Sequence, residues 1–184
     1  MDDDLFDLWD EHQEMPDDNE WHPQHHSDTC AIAAQEGVLE DVGGVRPPED
    51  EMIVVAEREG WYTPGGGTPM LDVGRLLAYY GLEVSQHVHA DLGSLHDALD
   101  RGDGVIVGLR AETLAGEPDD LDLAACSGIP GQTADHAVRV VGFEGHDVVL
   151  DDPARGVGAV PVEVFLESWR ESGNFMVTAA GGRS

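Results

Sequence analysis

A cysteine stands where a helix should begin, and no other part of the 184-residue sequence constrains the fold as strongly. The three residues before it, Ser-Asp-Thr at 27–29, are all good helix N-cap residues, and Ala31 to Leu39 has the small and apolar residues of a buried helix. Cys30 therefore falls in the first turn, where the positive end of the helix dipole favours the thiolate, which is the reactive form. If the cysteine is a nucleophile, the fold must bring a general base to the start of this helix.

Residues suited to that role occur later in the chain. His136 begins an apolar run, and two adjacent aspartates, Asp151 and Asp152, follow the next one. A thiolate, an imidazole that moves protons and a carboxylate that orients the imidazole together attack carbonyl groups in many enzymes. Gln24, six residues before the cysteine, can donate a side-chain N–H to a developing oxyanion. The sequence therefore predicts a cleft between a helical part and a strand-rich part.

Periodicity and turn residues predict that helices lead and strands follow. This order is α+β rather than alternating βαβ, and it favours an N-terminal helical lobe packed on an antiparallel sheet. Residues 111–134 are polar and acidic without a clear period, which predicts a surface insertion. The predicted helices span 31–39, 49–59, 71–80, 92–101 and 162–170, and the predicted strands span 82–88, 104–109, 136–143, 147–151, 157–160 and 175–179.

The charge excludes some classes of partner. Thirty-eight acidic residues stand against nine arginines, which gives a formal net charge of -29. Repulsion from phosphate opposes binding to nucleic acids or to anionic membranes. Two interpretations of the acidity stay open: a solvated surface suited to high salt, and charge placed in an acidic tail. No run is long enough to cross a membrane and no secretory signal is present, so we expect a cytoplasmic protein with free thiols at Cys30 and Cys126.

The remaining histidines do not have the spacing of a metal site. No cysteine or carboxylate lies at ligand spacing from them, so we predict neither a metal nor a cofactor. We expect these side chains to line the approach to the cleft or to face water, and we expect Asp135 to lie on the surface. The histidines concerned are His22, His25, His26, His87 and His89.

Four segments, taken together, resemble the papain-like, bacteriocin-processing (double-glycine leader) peptidases and their stand-alone relatives. The resemblance covers most of residues 22–179. The segments are the Gln24 to Cys30 spacing, residues 60–81 with Gly-Trp-Tyr, Gly-Gly-Gly-Thr-Pro, Asp-Val-Gly and Tyr-Gly, the run Asp135-His136-Ala-Val, and residues 150–156 with Leu-Asp-Asp-Pro-Ala-Arg-Gly. One departure is Ala31, because the family has glycine after the cysteine.

This resemblance implies a papain-like cysteine peptidase fold and a role for each site residue. A cleft of this family implies small residues such as glycine before the scissile bond. The implied roles are nucleophile for Cys30, general base and acid for His136, orienting carboxylate for Asp152, and oxyanion-hole donor for Gln24.

Strand geometry alone does not choose between the two aspartates. Side chains alternate along a strand, so the length of the turn near Glu144-Gly145 decides which aspartate shares a face with His136. A two-residue turn would place Asp151 there, and a three-residue turn would place Asp152 there. The family resemblance favours Asp152, and Asp151 stays the alternative.

The sequence thus predicts an acidic segment at 1–20 followed by a peptidase domain at 21–180. The segment is an acidic tail or a short helix that docks on the domain or on a partner protein. The leading hypothesis is a cysteine peptidase that hydrolyses a peptide or protein substrate. The alternatives are a catalytically inactive peptide-binding module of the same fold, and a thiol-dependent acyl transferase in which an amine replaces water.

Overall fold

The structure is a computed structural model that describes residues 21–115 and 134–181. A six-stranded antiparallel sheet forms its centre, with the strands in the spatial order β1-β6-β2-β3-β4-β5. The strands are β1 (Glu83–His87), β2 (Gly104–Leu109), β3 (His136–Glu144), β4 (Asp147–Asp152), β5 (Gly156–Pro161) and β6 (Met176–Ala180). The helices are α1 (Cys30–Val38), α2 (Glu49–Glu59), α3 (Arg75–Tyr79), α4 (Leu92–Asp100), α5 (Ala111–Ala115) and α6 (Val162–Arg170).

Side chains from both faces of the sheet build two hydrophobic cores. Alternation along β2 illustrates the division, because Ile106 packs with the helices α1 to α3 whereas Val105 and Val107 pack on the other side. Phe165 and Trp169 of α6 fill the second core. The N-terminal helices thus cover one face of an antiparallel sheet, and the predicted α+β class is confirmed.

Several predicted elements match the structure closely, and two differ. The predicted single helix at 71–80 is wrong: a 3-10 turn (Met70–Asp72) comes first, and α3 begins only at Arg75. Gly74 separates the two because its backbone has a φ of 103°, which a continuous helix cannot contain. The insertion predicted to be irregular from 111 begins with the short helix α5.

Some expectations concern parts of the chain outside the described residues. They are the acidic segment 1–20, the part of the predicted insertion from 116 to 133, and Cys126. Among the described residues, no helix is both long and apolar enough to cross a bilayer.

Candidate active site

Cys30 is the first residue of α1, as the sequence predicted, but the helix is not capped in the predicted way. Thr29 occupies the N-cap position, yet its hydroxyl donates to the Glu49 carboxylate, and Asp28 accepts hydrogen bonds from the Tyr62 hydroxyl instead. No side chain caps α1 within the part of the chain that the structure describes. The positive end of the helix dipole is therefore left to act on the Cys30 side chain.

His136 and Asp152 form a buried pair at the end of the sheet that adjoins Cys30. Nε2 of His136 is 2.7 Å from Oδ1 of Asp152, and each residue is 1% exposed. The backbone N–H of Ala154 donates to the same Oδ1 at 2.8 Å. These two contacts fix the carboxylate, so they also fix the orientation of the imidazole ring.

A β-bulge, rather than the length of the turn, brings Asp152 to this position. The hairpin turn has two residues, Gly145 and His146, because Glu144 pairs with Asp147. In an unbroken ladder such a turn would place Asp151 on the face of His136. The extra residue of the bulge is Val141, between Val140 and Gly142, and it shifts the register by one, so that Arg139 pairs with Asp151. Asp152 consequently shares a face with His136.

Electrostatic interactions within this site raise the pKa of one group and lower that of the other. Burial by itself lowers the pKa of His136, but the charge of Asp152 and hydrogen bonds with Asp152 and Cys30 outweigh it and raise the pKa well above its ordinary value. Burial raises the pKa of Asp152, but the charge and hydrogen bond of His136, the Ala154 N–H and the charge of Arg155 lower it overall. Both shifts favour the imidazolium–carboxylate form of the pair.

Gln24 lies on a loop that is anchored beside Asp152. Its backbone N–H donates to the carbonyl oxygen of Pro153 at 2.9 Å, and its side-chain Nε2 donates to the carbonyl oxygen of His26 at 2.7 Å. Just before it, Nε1 of Trp21 donates to the carbonyl oxygen of Asp152 at 3.0 Å. The backbone of Gln24 is thus held beside the site by one contact and its side-chain amide by another, which leaves one N–H of Nε2 for a further acceptor.

The alternative carboxylate, Asp151, points away from His136. Its Oδ2 lies 2.9 Å from Nδ1 of His22 and 2.9 Å from Nη2 of Arg139, all within the protein interior. The expectation that His22 lines the cleft or faces water is therefore wrong, since an opposite charge in the interior holds it there. Sequence reasoning missed this group, although the paired aspartates offered a signal: on one strand, adjacent carboxylates must face different partners.

Two further predictions concern Asp135 and a metal site. Asp135 is half-buried rather than on the surface, because its Oδ1 accepts a hydrogen bond from the N–H of Ala111 at 3.0 Å, and burial raises its pKa. Within residues 21–115 and 134–181, no cluster of histidine, cysteine, aspartate and glutamate has the arrangement of a metal site.

A surface cavity of about 350 Å³ adjoins the Gln24 loop and is lined by Trp21, Pro23, Gln24, His25, His26, Ser27, Pro153 and Ala154.

Comparison with other sequences identifies relatives in mycobacteria. The "Uncharacterized protein Rv1268c" of Mycobacterium tuberculosis is 30% identical over 187 aligned positions, which cover 85% of this chain and 78% of that protein. The "Uncharacterized protein Mb1299c" of Mycobacterium bovis has the same identity and coverage. No protein-family model matches the chain.

Comparison with solved structures identifies peptidase domains of one fold. A putative C39-like peptidase from Bacillus anthracis has a TM-score of 0.65 at 14% identity, covering 95% of this chain and 100% of that one. The peptidase domain of Streptococcus ComA, a bi-functional ABC transporter, has a TM-score of 0.61 at 20% identity over 88% and 97% of the two chains. A double glycine motif protease from an AMS/PCAT transporter, solved with the leader peptide, has a TM-score of 0.57 at 17% identity over 87% and 90%.

Proposed function

Because this chain belongs to the same family as the mycobacterial protein Rv1268c and has the fold of double-glycine peptidase domains, we propose that it is a cysteine peptidase. The observation that carries the proposal is the buried His136–Asp152 pair, with its 2.7 Å contact, beside Cys30 at the start of an uncapped helix. A thiol that only filled space in the core would not need a charged imidazole and an orienting carboxylate next to it, because burying such charges costs free energy.

In the proposed reaction, the Cys30 thiolate attacks the carbonyl carbon of a peptide bond. The oxyanion that forms is stabilised by the Cys30 backbone N–H and the Gln24 amide. The C–N bond then breaks as His136 gives its proton to the leaving amine, and a thioester remains. Water attacks the thioester and gives a proton to His136, which releases the new carboxylic acid and restores the thiolate–imidazolium pair. Asp152 holds the ring in place throughout.

The substrate that we propose is a peptide or protein with small residues, such as glycine, before the scissile bond. The support is the fold shared with the double glycine motif protease, which was solved with its leader peptide. Ala31 adds a methyl group next to the nucleophile where the family has glycine, and we expect it to narrow the site further.

Alkylation of Cys30 tests the proposal without knowledge of the natural substrate. Iodoacetamide is added across a pH series and the modification of Cys30 and Cys126 is read separately by mass spectrometry. We expect Cys30 to react at lower pH than Cys126, and His136→Ala to remove the difference. Cys30→Ala should abolish cleavage of a peptidyl-Gly-Gly-aminomethylcoumarin, while Cys126→Ala keeps it. Equal reactivity of the two thiols would contradict the proposal.

A peptide-binding module that has lost hydrolysis is the second candidate. The observation that favours it is the burial of Cys30, which is 1% exposed, beside the fully buried Ala31. Such a module would bind glycine-rich peptides without an activated thiol. In the alkylation experiment, the reactivity of Cys30 in such a module would not depend on His136. A separate binding measurement would still detect the peptide.

A further inference from the structure

An ionic cluster centred on Asp151 has a buried inner part and partly exposed outer carboxylates, and the proposed reaction does not use it directly. We define the His22 cluster as His22, Glu40, Asp41, Arg139 and Asp151. Oδ2 of Asp151 is 2.9 Å from Nδ1 of His22, 2.9 Å from Nη2 of Arg139 and 3.2 Å from its Nε. The other ring nitrogen of His22 contacts the carboxylate of Glu40, and Nη1 of Arg139 contacts that of Asp41.

The contacts of its two ring nitrogens favour a cation at His22. Both ring nitrogens face carboxylates, so a neutral ring would point a lone pair at one of them. Of the three carboxylates, that of Asp151 is buried beside Arg139, whereas the side chains of Glu40 and Asp41 are 34% and 58% exposed and are screened by water. Arg46 also reaches Glu40 from outside at 3.5 Å. Burial lowers the pKa of His22 and Arg139 lowers it further, but hydrogen bonds to Asp151 and Glu40 and the charge of Asp151 outweigh them and raise it. The imidazolium of His22 thus adds to the positive charge of Arg139 within the cluster.

The cluster joins the segment that carries Gln24 to the strand that carries Asp152. Segment 21–24 runs along the end of β4: the backbone N–H of His22 approaches Oδ1 of Asp151 at 3.5 Å, and that of Gln24 donates to Pro153 at 2.9 Å. Without its imidazolium link to Asp151, this segment would keep the contacts at its two ends and the longer backbone contact of His22.

The same cluster packs against the helix of the nucleophile. Gly37 of α1 faces it so closely that a Cβ there would lie 3.0 Å from Nε of Arg139 and 3.0 Å from Nδ1 of His22. Nη1 of Arg139 also approaches the carbonyl oxygen of Gly37 at 3.4 Å. This contact therefore helps to position α1 relative to the sheet, near the other end of the helix from Cys30.

We propose that His22 is a positioning residue: its imidazolium bridges Asp151 and Glu40 and so holds segment 21–24, the end of β4 and α1 in one fixed arrangement. The inference rests on the proposed function, because Gln24, Asp152 and Cys30 are the groups that it aligns. His22 itself does not contact the reacting atoms. A cluster that served stability alone would change the unfolding midpoint but not the reactivity of each folded molecule, and this difference can be measured.

The test compares His22→Ala and His22→Gln in the full chain with His146→Gln, an exposed histidine in the turn between β3 and β4. The measurements are the rate of Cys30 alkylation by iodoacetamide against pH, and kcat and KM for the peptidyl-Gly-Gly-aminomethylcoumarin, both per folded molecule. We expect His22→Ala to lower kcat by about 10- to 100-fold with little change in KM, because a misplacement of about 1 Å can cost about 100-fold in rate. Its alkylation profile should move towards that of His136→Ala.

The remaining variants separate the outcomes. His22→Gln keeps one N–H donor without the charge, so it should recover part of the loss, and His146→Gln should behave as wild type. If His22→Ala does not fold, Glu40→Gln is the substitute: Glu40 is partly exposed, and the change removes the carboxylate charge that faces Nε2 of His22. It should lower kcat in the same direction by a smaller factor. Wild-type rates in the folded His22 and Glu40 variants would overturn the inference and leave the proposed function intact. Alkylation of wild-type Cys30 that is independent of His136 would contradict the proposed function, and the inference would fall with it.

Discussion

The two ring nitrogens of His136 have different environments, and this asymmetry carries the proposed chemistry. Nε2 is held by Asp152 at 2.7 Å, while the buried Nδ1 makes no hydrogen bond of standard geometry with any described residue. The interaction of the ring with Cys30 must therefore involve the nitrogen that Asp152 leaves free. A carboxylate on one nitrogen fixes which tautomer is available at the other, so Asp152 selects the form that can exchange a proton with the thiol.

Asp152→Asn should lower kcat/KM by about 10²- to 10³-fold, because the amide can hold the ring in the wrong tautomer and carries no charge. The pH profile gives a sharper test. Asp152 raises the pKa of His136 against the effect of burial, so its removal should lower that pKa. The alkaline limb of kcat/KM, which reports loss of the imidazolium proton, should then move to lower pH.

The matched control for this variant is Asp97→Asn, which changes an exposed aspartate on α4. It should leave both the rate and the alkaline limb unchanged. An alkaline limb that stayed in place in Asp152→Asn would mean that His136 does not depend on this carboxylate, even if the rate fell.

At the level of elements, the short helix α3 depends on two glycines with left-handed backbones, one at each end. Gly74 has a φ of 103° and Gly81 a φ of 97°. Their surroundings differ: a Cβ on Gly74 would lie 2.9 Å from Cγ1 of Val84 and 3.0 Å from Cγ1 of Val177, whereas a Cβ on Gly81 would meet nothing within 4 Å. The two positions therefore separate backbone strain from steric crowding.

Gly81→Ala should lower the free energy of unfolding by about 1–2 kcal/mol, the cost of a left-handed backbone for a residue with a Cβ. Gly74→Ala should cost about 1–3 kcal/mol more, because the branched valines cannot move away without opening the core. Urea unfolding of both variants gives the comparison. Equal losses would show that the core beside Gly74 yields to the extra methyl group.

Elements with strong local signals could be predicted from the sequence, while the positions that depend on contacts between elements could not. The helices at 49–59 and 162–170 and the strand at 104–109 begin and end where the sequence predicts. The bulge at Val141 has only a weak signal, the glycine that follows it inside the strand, and a glycine there does not by itself show which way the register shifts. The resemblance to a family, and not strand periodicity, favoured the aspartate that the structure brings to His136.

The ionic cluster escaped prediction for a related reason. His22 precedes Asp151 by most of the chain, and only the folded sheet brings them together. A histidine in a polar segment is often exposed, and the burial of His22 depends on carboxylates that only the folded chain brings to its ring nitrogens. Local sequence therefore identified Cys30, Gln24, His136 and the aspartate pair as candidates but could not identify the His22 cluster.

For the whole molecule, the formal net charge of -29 means that repulsion between carboxylates opposes the stability that packing gives to the folded state. Exposed like charges repel in the compact state, and salt screens them over a Debye length of about 10 Å at 0.1 M and about 3 Å at 1 M. We therefore expect the midpoint of thermal unfolding at neutral pH to rise with NaCl. Most of the rise should occur by about 0.5 M, because at that concentration the repulsion between charges already has a short range.

A chain that begins at residue 21 decides between the two interpretations of the acidity. Residues 1–20 contain ten carboxylates and no arginine, so their removal changes the formal charge from -29 to -19. If the charge of the folded domain dominates, this shorter chain should keep most of the dependence on salt, because the remaining acidic residues still surround one compact body. If the terminal segment dominates, the dependence should largely disappear. A midpoint that does not change between low salt and 0.5 M NaCl in the full chain would contradict both interpretations, and would mean that the carboxylates are spaced widely enough for water alone to screen them.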